Sequence, residues 1–217
     1  MDRRTFLKDS AVTVVGTALL VDCAQKTPDT AASAPAKAVD PNQPPIDRPA
    51  DWDPVAFNTA RGKAGFIPEK YMADILAPGG TEKHMGKHLP FVPKLDPSRA
   101  VAGTLAIMFG DTSKGYAAHP NAPKTAEKPD GHWYNWIRVA IAGRPETEVE
   151  TLFDDWPAPS DKVNGKYTGL SDPDPAKDEG KNTVYLAQLP PGAKAGDTLR
   201  IWGHCLTHGE YVDFLTI

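Results

Sequence analysis

Residues 197–217 read DTLRIWGHCLTHGEYVDFLTI, two strand-like runs, 197–204 and 211–217, joined by Cys205-Leu206-Thr207-His208-Gly209. Cys205 closes the first run, and two-residue alternation turns His204 away from it. Similar runs lie upstream. Val101, Gly103, Leu105, Ile107 and Phe109 alternate with Ala102, Thr104, Ala106 and Met108, and Ile137, Val139 and Ile141 alternate with Trp136, Arg138 and Ala140. Residues 149–155 and 183–189 read as further strands. Gly143-Arg144-Pro145, Pro190-Pro191-Gly192 and Ala195-Gly196-Asp197 supply turn chemistry between them. Residues 69–76 read as a short helix with Tyr71, Met72, Ile75 and Leu76 on one side. Six or more short strands with tight turns predict an all-β fold, a β-sandwich or small barrel. The Pro-, Asp-, Gly- and Lys-containing stretch 157–181 is expected to be a long excursion at one end of it.

Composition agrees. The 217 residues include 22 Pro and 18 Gly, too many for a helical bundle. The formal net charge is −4, which disfavours a general nucleic-acid binder, since phosphate contacts need a basic field. No apolar run is long enough to cross a bilayer repeatedly. At the start of the chain, Arg3-Arg4 followed by Phe6-Leu7-Lys8 and the apolar run 11–21 look like a twin-arginine export signal spanning 1–23. Export to the periplasm is therefore expected. Leu20-Val21-Asp22-Cys23 resembles a lipobox, but Asp beside the cysteine departs from that pattern and argues against lipid anchoring. Residues 24–50 are rich in Pro and Ala and predict a flexible linker. The folded domain is expected over 51–217.

If the signal is removed, Cys205 has no partner, and an unpaired thiol in an oxidising compartment is a liability unless it is buried or occupied. His208 follows three residues later, so thiolate and imidazole can turn toward one ion. The chain has six histidines. His84, His119 and His132 fall at strand edges or in loops, where distant segments converge at one end of a sandwich.

Four motifs in this order resemble the iron-binding domain of the desulfoferrodoxin and superoxide reductase family. They are Glu82-Lys83-His84, His119-Pro120-Asn121, His132 before the aromatic run with Trp136-Ile137, and Cys205-Leu206-Thr207-His208-Gly209. They cover roughly residues 80–217. The resemblance implies an immunoglobulin-like β-sandwich with a mononuclear non-haem iron. It implies His84, His119, His132 and His208 as equatorial ligands and Cys205 as the axial one. It implies reduction of superoxide to hydrogen peroxide at the open position, with Lys83 drawing in the anion and Glu82 capping ferric iron. The expected partners are superoxide and an external electron-donor protein, with room for a homo-oligomer and no nucleic acid.

Imidazoles suit Fe(II), and a thiolate pushes electron density through the metal onto a bound oxygen species. Lys83, Lys87, Lys94 and Arg99 make the surroundings of His84 locally basic. The sequence departs from the family pattern in two places. Residues 122–131 lengthen the link between His119 and His132, and are expected to form a lid or rim. After His84 comes Met-Gly-Lys-His, where the family commonly has a short apolar strand, so His88 competes with His84 as ligand. Two other readings stand beside this one. A cupredoxin-like electron carrier also places Cys and His near its C-terminus but expects a following axial Met, and Met1, Met72, Met85 and Met108 all precede Cys205. A non-catalytic accessory module of a redox complex would retain the motifs without an open metal site.

Overall fold

The computed structural model describes residues 40–217 apart from 128, 159–164 and 172–174. The expected export signal, Cys23 and the linker as far as residue 39 lie outside the described residues. Among the described residues, eight strands form two antiparallel four-stranded sheets. The first sheet has the order β1 (Pro90–Phe91), β2 (Thr104–Phe109), β6 (Thr183–Gln188), β5 (Lys166–Gly169). The second has the order β4 (Arg144–Leu152), β3 (Tyr134–Ile141), β7 (Thr198–Cys205), β8 (Gly209–Thr216). The fold is mostly β, with helices α1 (Pro54–Arg61), α2 (Glu69–Leu76) and α3 (Pro175–Asp178). Among the described residues, no helix is long and apolar enough to cross a membrane.

Strand alternation builds the core. Leu105, Ile107 and Phe109 of β2, Ile137, Val139 and Ile141 of β3, and Leu199, Ile201 and Cys205 of β7 meet in one buried cluster. The opposite face of β2 is covered too: Met108 packs with Val184 and Leu186 of β6 and with Phe91 and Leu95. Burial on both faces explains why the β2 run is apolar almost throughout. Strand β2 begins at Thr104 rather than 101, because Gly103 takes φ +76° and the Thr104 N–H donates to the Val101 carbonyl in a turn. Strand β4 begins at Arg144, inside the expected turn, because Ala142 and Gly143, the latter at φ +78°, suffice for the hairpin between the paired Ile141 and Arg144. Pro145 is tolerated there because β4 is an edge strand. The stretch 157–181 is not simply an excursion, for it contributes β5, which pairs with β6 from Lys166↔Leu186 to Gly169↔Thr183.

Residues 40–50 differ from the flexible linker expected over 24–50. The Pro41 carbonyl accepts from Arg61 Nη1 (2.8 Å), the Pro45 carbonyl from Arg200 Nη1 (3.2 Å), and the Ile46 carbonyl from the Gly143 N–H (3.1 Å). Apolar content predicted disorder; guanidinium bonds to backbone carbonyls supply the order instead, and composition does not register them.

The helices close the edge of the second sheet. Asp53 caps α1 by accepting from the Val55 and Ala56 N–H groups, with Pro54 pre-set for the first turn. Asn58, fully buried, donates from Nδ2 to the Val212 carbonyl (2.8 Å) and accepts at Oδ1 from the Val212 N–H (2.9 Å). Its side-chain amide thus pairs with β8 as another strand would. Behind it, Ile67, Tyr71, Met72, Ile75 and Met85 form a second core with Tyr211 of β8.

Candidate metal centre

Four segments deliver donors to one end of the molecule. Strand β7 ends at Cys205, whose inward orientation is set by alternation with Leu199, Ile201 and Gly203. The turn that follows brings His208 back beside it, and requires Gly209 at φ +86° in close approach to Phe66, where a Cβ would collide with the Phe66 carbonyl oxygen. His119 follows β2, its N–H donating to the Phe109 carbonyl (3.1 Å). His132 is held by reciprocal backbone bonds with Ala122 (2.9 Å each). His88 ends a tight helical turn, Gly86–His88, just before β1.

His88, His119, His132 and Cys205 place their donor atoms within 4.8 Å of one another, close enough to hold a metal ion. His208 joins them: its Nδ1 is 3.1 Å from His88 Nε2, 3.0 Å from His132 Nε2 and 3.8 Å from Cys205 Sγ. Cys205 Sγ is also 3.7 Å from His119 Nε2. Two nitrogens each about 2.1 Å from one ion, at right angles, stand about 3.0 Å apart, which matches both imidazole pairs. A sulfur at about 2.3 Å would stand about 3.1 Å from such nitrogens, so the 3.7 and 3.8 Å separations of Sγ are more than half an ångström longer than a bound ion would set.

The tautomers sharpen the fit. His88 Nδ1 donates to the His84 carbonyl (2.8 Å), so the neutral ring presents a lone pair at Nε2. Burial, then the charges of His119, His208 and Lys87, hold the His88 pKa well below 6.5. Burial and then His132 do the same to His119, and His208 is pushed down to about 2 by burial and then His132. Neutral imidazoles so placed aim lone pairs at one point, and a single proton on His208 Nδ1 cannot serve both His88 and His132 fully. A cation between them resolves that conflict. Burial pushes the Cys205 thiol up to about 12, so the metal must displace a proton to bind sulfur.

Aromatic rings fix the imidazoles. Tyr71 of α2 stacks on His208 (centroids 3.8 Å, 22°) and Tyr211 on His88 (4.4 Å, 10°). Hydroxyls hold the loops: Tyr134 donates to the His88 carbonyl (2.9 Å), Tyr211 to the His208 carbonyl (3.0 Å), and Thr207 to the Gly131 carbonyl (2.6 Å). Residues 51–80, without an assigned role in the sequence, thus furnish a wall of the centre.

The sequence expectations fare unequally. His119, His132 and Cys205 come together, with His208 against them. His84 is replaced in the group by His88: it contributes its carbonyl as the acceptor that orients His88, and its own Nδ1 is buried without a partner. The reason lies in the chain path. Thr81–Met85 is a wide helical turn, and the short apolar strand expected after the ligand, β1, follows His88 rather than His84. Lys83 and Glu82 are exposed, while Lys87 is half-buried with its Nζ 5.3 Å from the Tyr71 ring, and its charge acts on Cys205, His88, His119 and His208. Glu82 acts on Tyr116, and its carbonyl accepts from the Ala117 N–H (3.2 Å). His204 does point away from Cys205, stacking on Trp136 and bonding Asn135 Oδ1 (2.6 Å).

Comparison with protein families, curated proteins and solved structures finds no match to this chain.

Proposed function

We propose that the protein is an exported, superoxide-reductase-like oxidoreductase with an immunoglobulin-like β-sandwich fold, in which His88, His119, His132, His208 and Cys205 hold a mononuclear non-haem iron. The observation that carries this reading is the convergence of imidazole lone pairs and one buried thiol, with a lysine alongside. The donor set fits: imidazoles suit ferrous iron, and a thiolate raises electron density at the metal. When bound, ferrous iron supplies one electron, which with two protons converts superoxide to hydrogen peroxide.

The chain's own residues do the rest. Tyr71 and Tyr211 keep His208 and His88 in place by stacking, and the fully buried Cys205 keeps water from the sulfur. Lys87 puts a partly desolvated ammonium beside the donors, where it draws in a small anion more strongly than an exposed lysine would. An acidic chain thereby presents a locally positive approach to an anionic substrate. We take the electron donor to be external to this chain.

Metal analysis of the purified chain, with visible spectra before and after mild oxidation and a Cys205→Ala control, tests the reading. About one iron per chain and a thiolate-to-ferric band lost in the control would support it and lead to a superoxide assay. An intense blue copper band would move the protein to the electron carriers. No stoichiometric metal after anaerobic reconstitution would end the reading.

A further inference from the structure

We propose that the cleft beside His132 and His208 binds a neutral, planar aromatic hydroquinone, which serves as the electron source of the centre. The inference rests on the iron reading above and adds to it the chemical class of the reductant.

The cleft encloses about 910 Å³, the size that accommodates a bicyclic or larger ring system. Its lining is mostly apolar and includes Pro123 and Pro129 from the lengthened loop together with Pro157 and the edge of the largely buried Trp156. Trp156 is held from behind by its indole N–H, which donates to Thr183 Oγ1 (3.2 Å). His132 and His208 reach the cleft, whereas Cys205 and His88 are fully buried and His119 is 3% exposed. An electron arriving from solvent on this side therefore meets the His132 and His208 edges first.

Charge selects the ligand. The charged residues lining the cleft, among those described, are carboxylates: Glu127, Asp130 and Glu179, the last held by Lys181. Glu127 and Asp130 disfavour phosphorylated or sulfonated molecules and favour neutral ones. Neither Lys83 nor Lys87 lines this cleft. The centre thus has a positive approach by Lys87 and a negative one by Asp130, which keeps an anionic oxidant and a neutral reductant on separate paths.

The stoichiometry closes. Over two turnovers one hydroquinone loses two electrons and its two hydroxyl protons to become the quinone, both O–H bonds breaking. Two superoxide ions take up those two electrons and four protons, two from the hydroquinone and two from water, to give two molecules of hydrogen peroxide.

The test has two arms. In the first, metal-free full-length chain is titrated anaerobically with naphthohydroquinone while NMR follows the Trp156 indole N–H and the His132 and His208 imidazoles. Saturable shifts at these groups are expected, with at least ten-fold weaker binding of a sulfonated naphthohydroquinone. Pro123→Trp, which fills the cleft, should weaken binding about ten-fold, and Asp130→Lys should narrow or reverse the preference against the sulfonate. Absence of saturation, or equal binding of the two probes, overturns the proposal. In the second arm, loss of the ferric band of the iron-loaded protein is timed. Its rate should saturate with naphthohydroquinone and fall about ten-fold in Pro123→Trp, while dithionite reduces both proteins alike. A linear dependence untouched by Pro123→Trp overturns the proposal. A chain that takes up no iron defeats the iron reading instead, and the first arm still decides whether the cleft binds its ligand.

Discussion

His84 and His88 lie four residues apart, yet they have different duties. His88 directs a lone pair into the donor cluster because its other nitrogen is spent on the His84 carbonyl. His88→Ala should therefore weaken metal affinity by at least about ten-fold, since even loss of a group that merely supports a ligand costs about 10–100-fold. His84→Ala keeps the carbonyl and should retain metal close to one per chain; metal analysis of the two variants decides between them, and equal loss would overturn the distinction. Lys87 and Lys83 make a parallel pair. Lys87→Gln should slow the second-order reaction with superoxide by about ten-fold at low salt and flatten its ionic-strength dependence, whereas Lys83→Gln should change little, as stopped-flow rates at several salt concentrations would reveal.

At the level of elements, the helical layer both covers an edge and seats the ligands. Asn58 satisfies both backbone groups of Val212, so Asn58→Ala leaves a buried N–H and a buried C=O without partners. The expected loss is about 2–4 kcal/mol, measured by denaturant unfolding, and a change below about 0.5 kcal/mol would show that β8 does not depend on the helix. Arg61 works beside it: its guanidinium lies over the Phe66 ring (3.8 Å) and donates to Glu210 (2.6 Å), which also accepts from the Trp202 indole (3.0 Å). These contacts hold α1 against the strand that carries Tyr211, and Tyr211 in turn stacks on His88. Stability of the layer and order at the centre are thus coupled through β8.

For the whole molecule, the buried donors tie stability to pH. His88, His119 and His208 have pKa values held below the ordinary 6.5, chiefly by burial. Below about pH 6.5 the unfolded chain binds protons that the folded chain refuses, so stability falls as pH falls, by about 1.4 kcal/mol per pH unit for each such histidine. Cys205 works from the other side. Its folded pKa of about 12 against 9.0 means the unfolded chain loses a proton first, and stability falls as pH rises above 9.0. Metal-free protein should be most stable between these limits in denaturant titrations across the range, and a flat profile from neutral to about pH 5 would contradict the burial of the imidazoles. Metal addition should raise the melting temperature and release protons, detectable in weakly buffered solution.

Alternation and turn chemistry in the chain determined the strands of the core, the short helix at 69–76, and the outward placement of His204, because a two-residue repeat is local and survives without knowledge of neighbours. The spacing of Cys205 and His208, the loop positions of His119 and His132 and the order of the motifs pointed to these residues, which the structure brings together. The motifs named His84, whereas His88 is the one in the close donor group, because which of two neighbouring histidines faces the others depends on the turn between them. The apolar strand after His88 was the sequence signal that distinguishes them. Strand β5 and the docked segment 40–50 were illegible for a related reason: their order comes from pairing with β6 and from bonds to Arg61 and Arg200, residues distant in sequence. Only the tertiary structure brought α2 over His208, set Lys87 beside the donors and opened a cleft next to His132, since each depends on segments meeting across the fold.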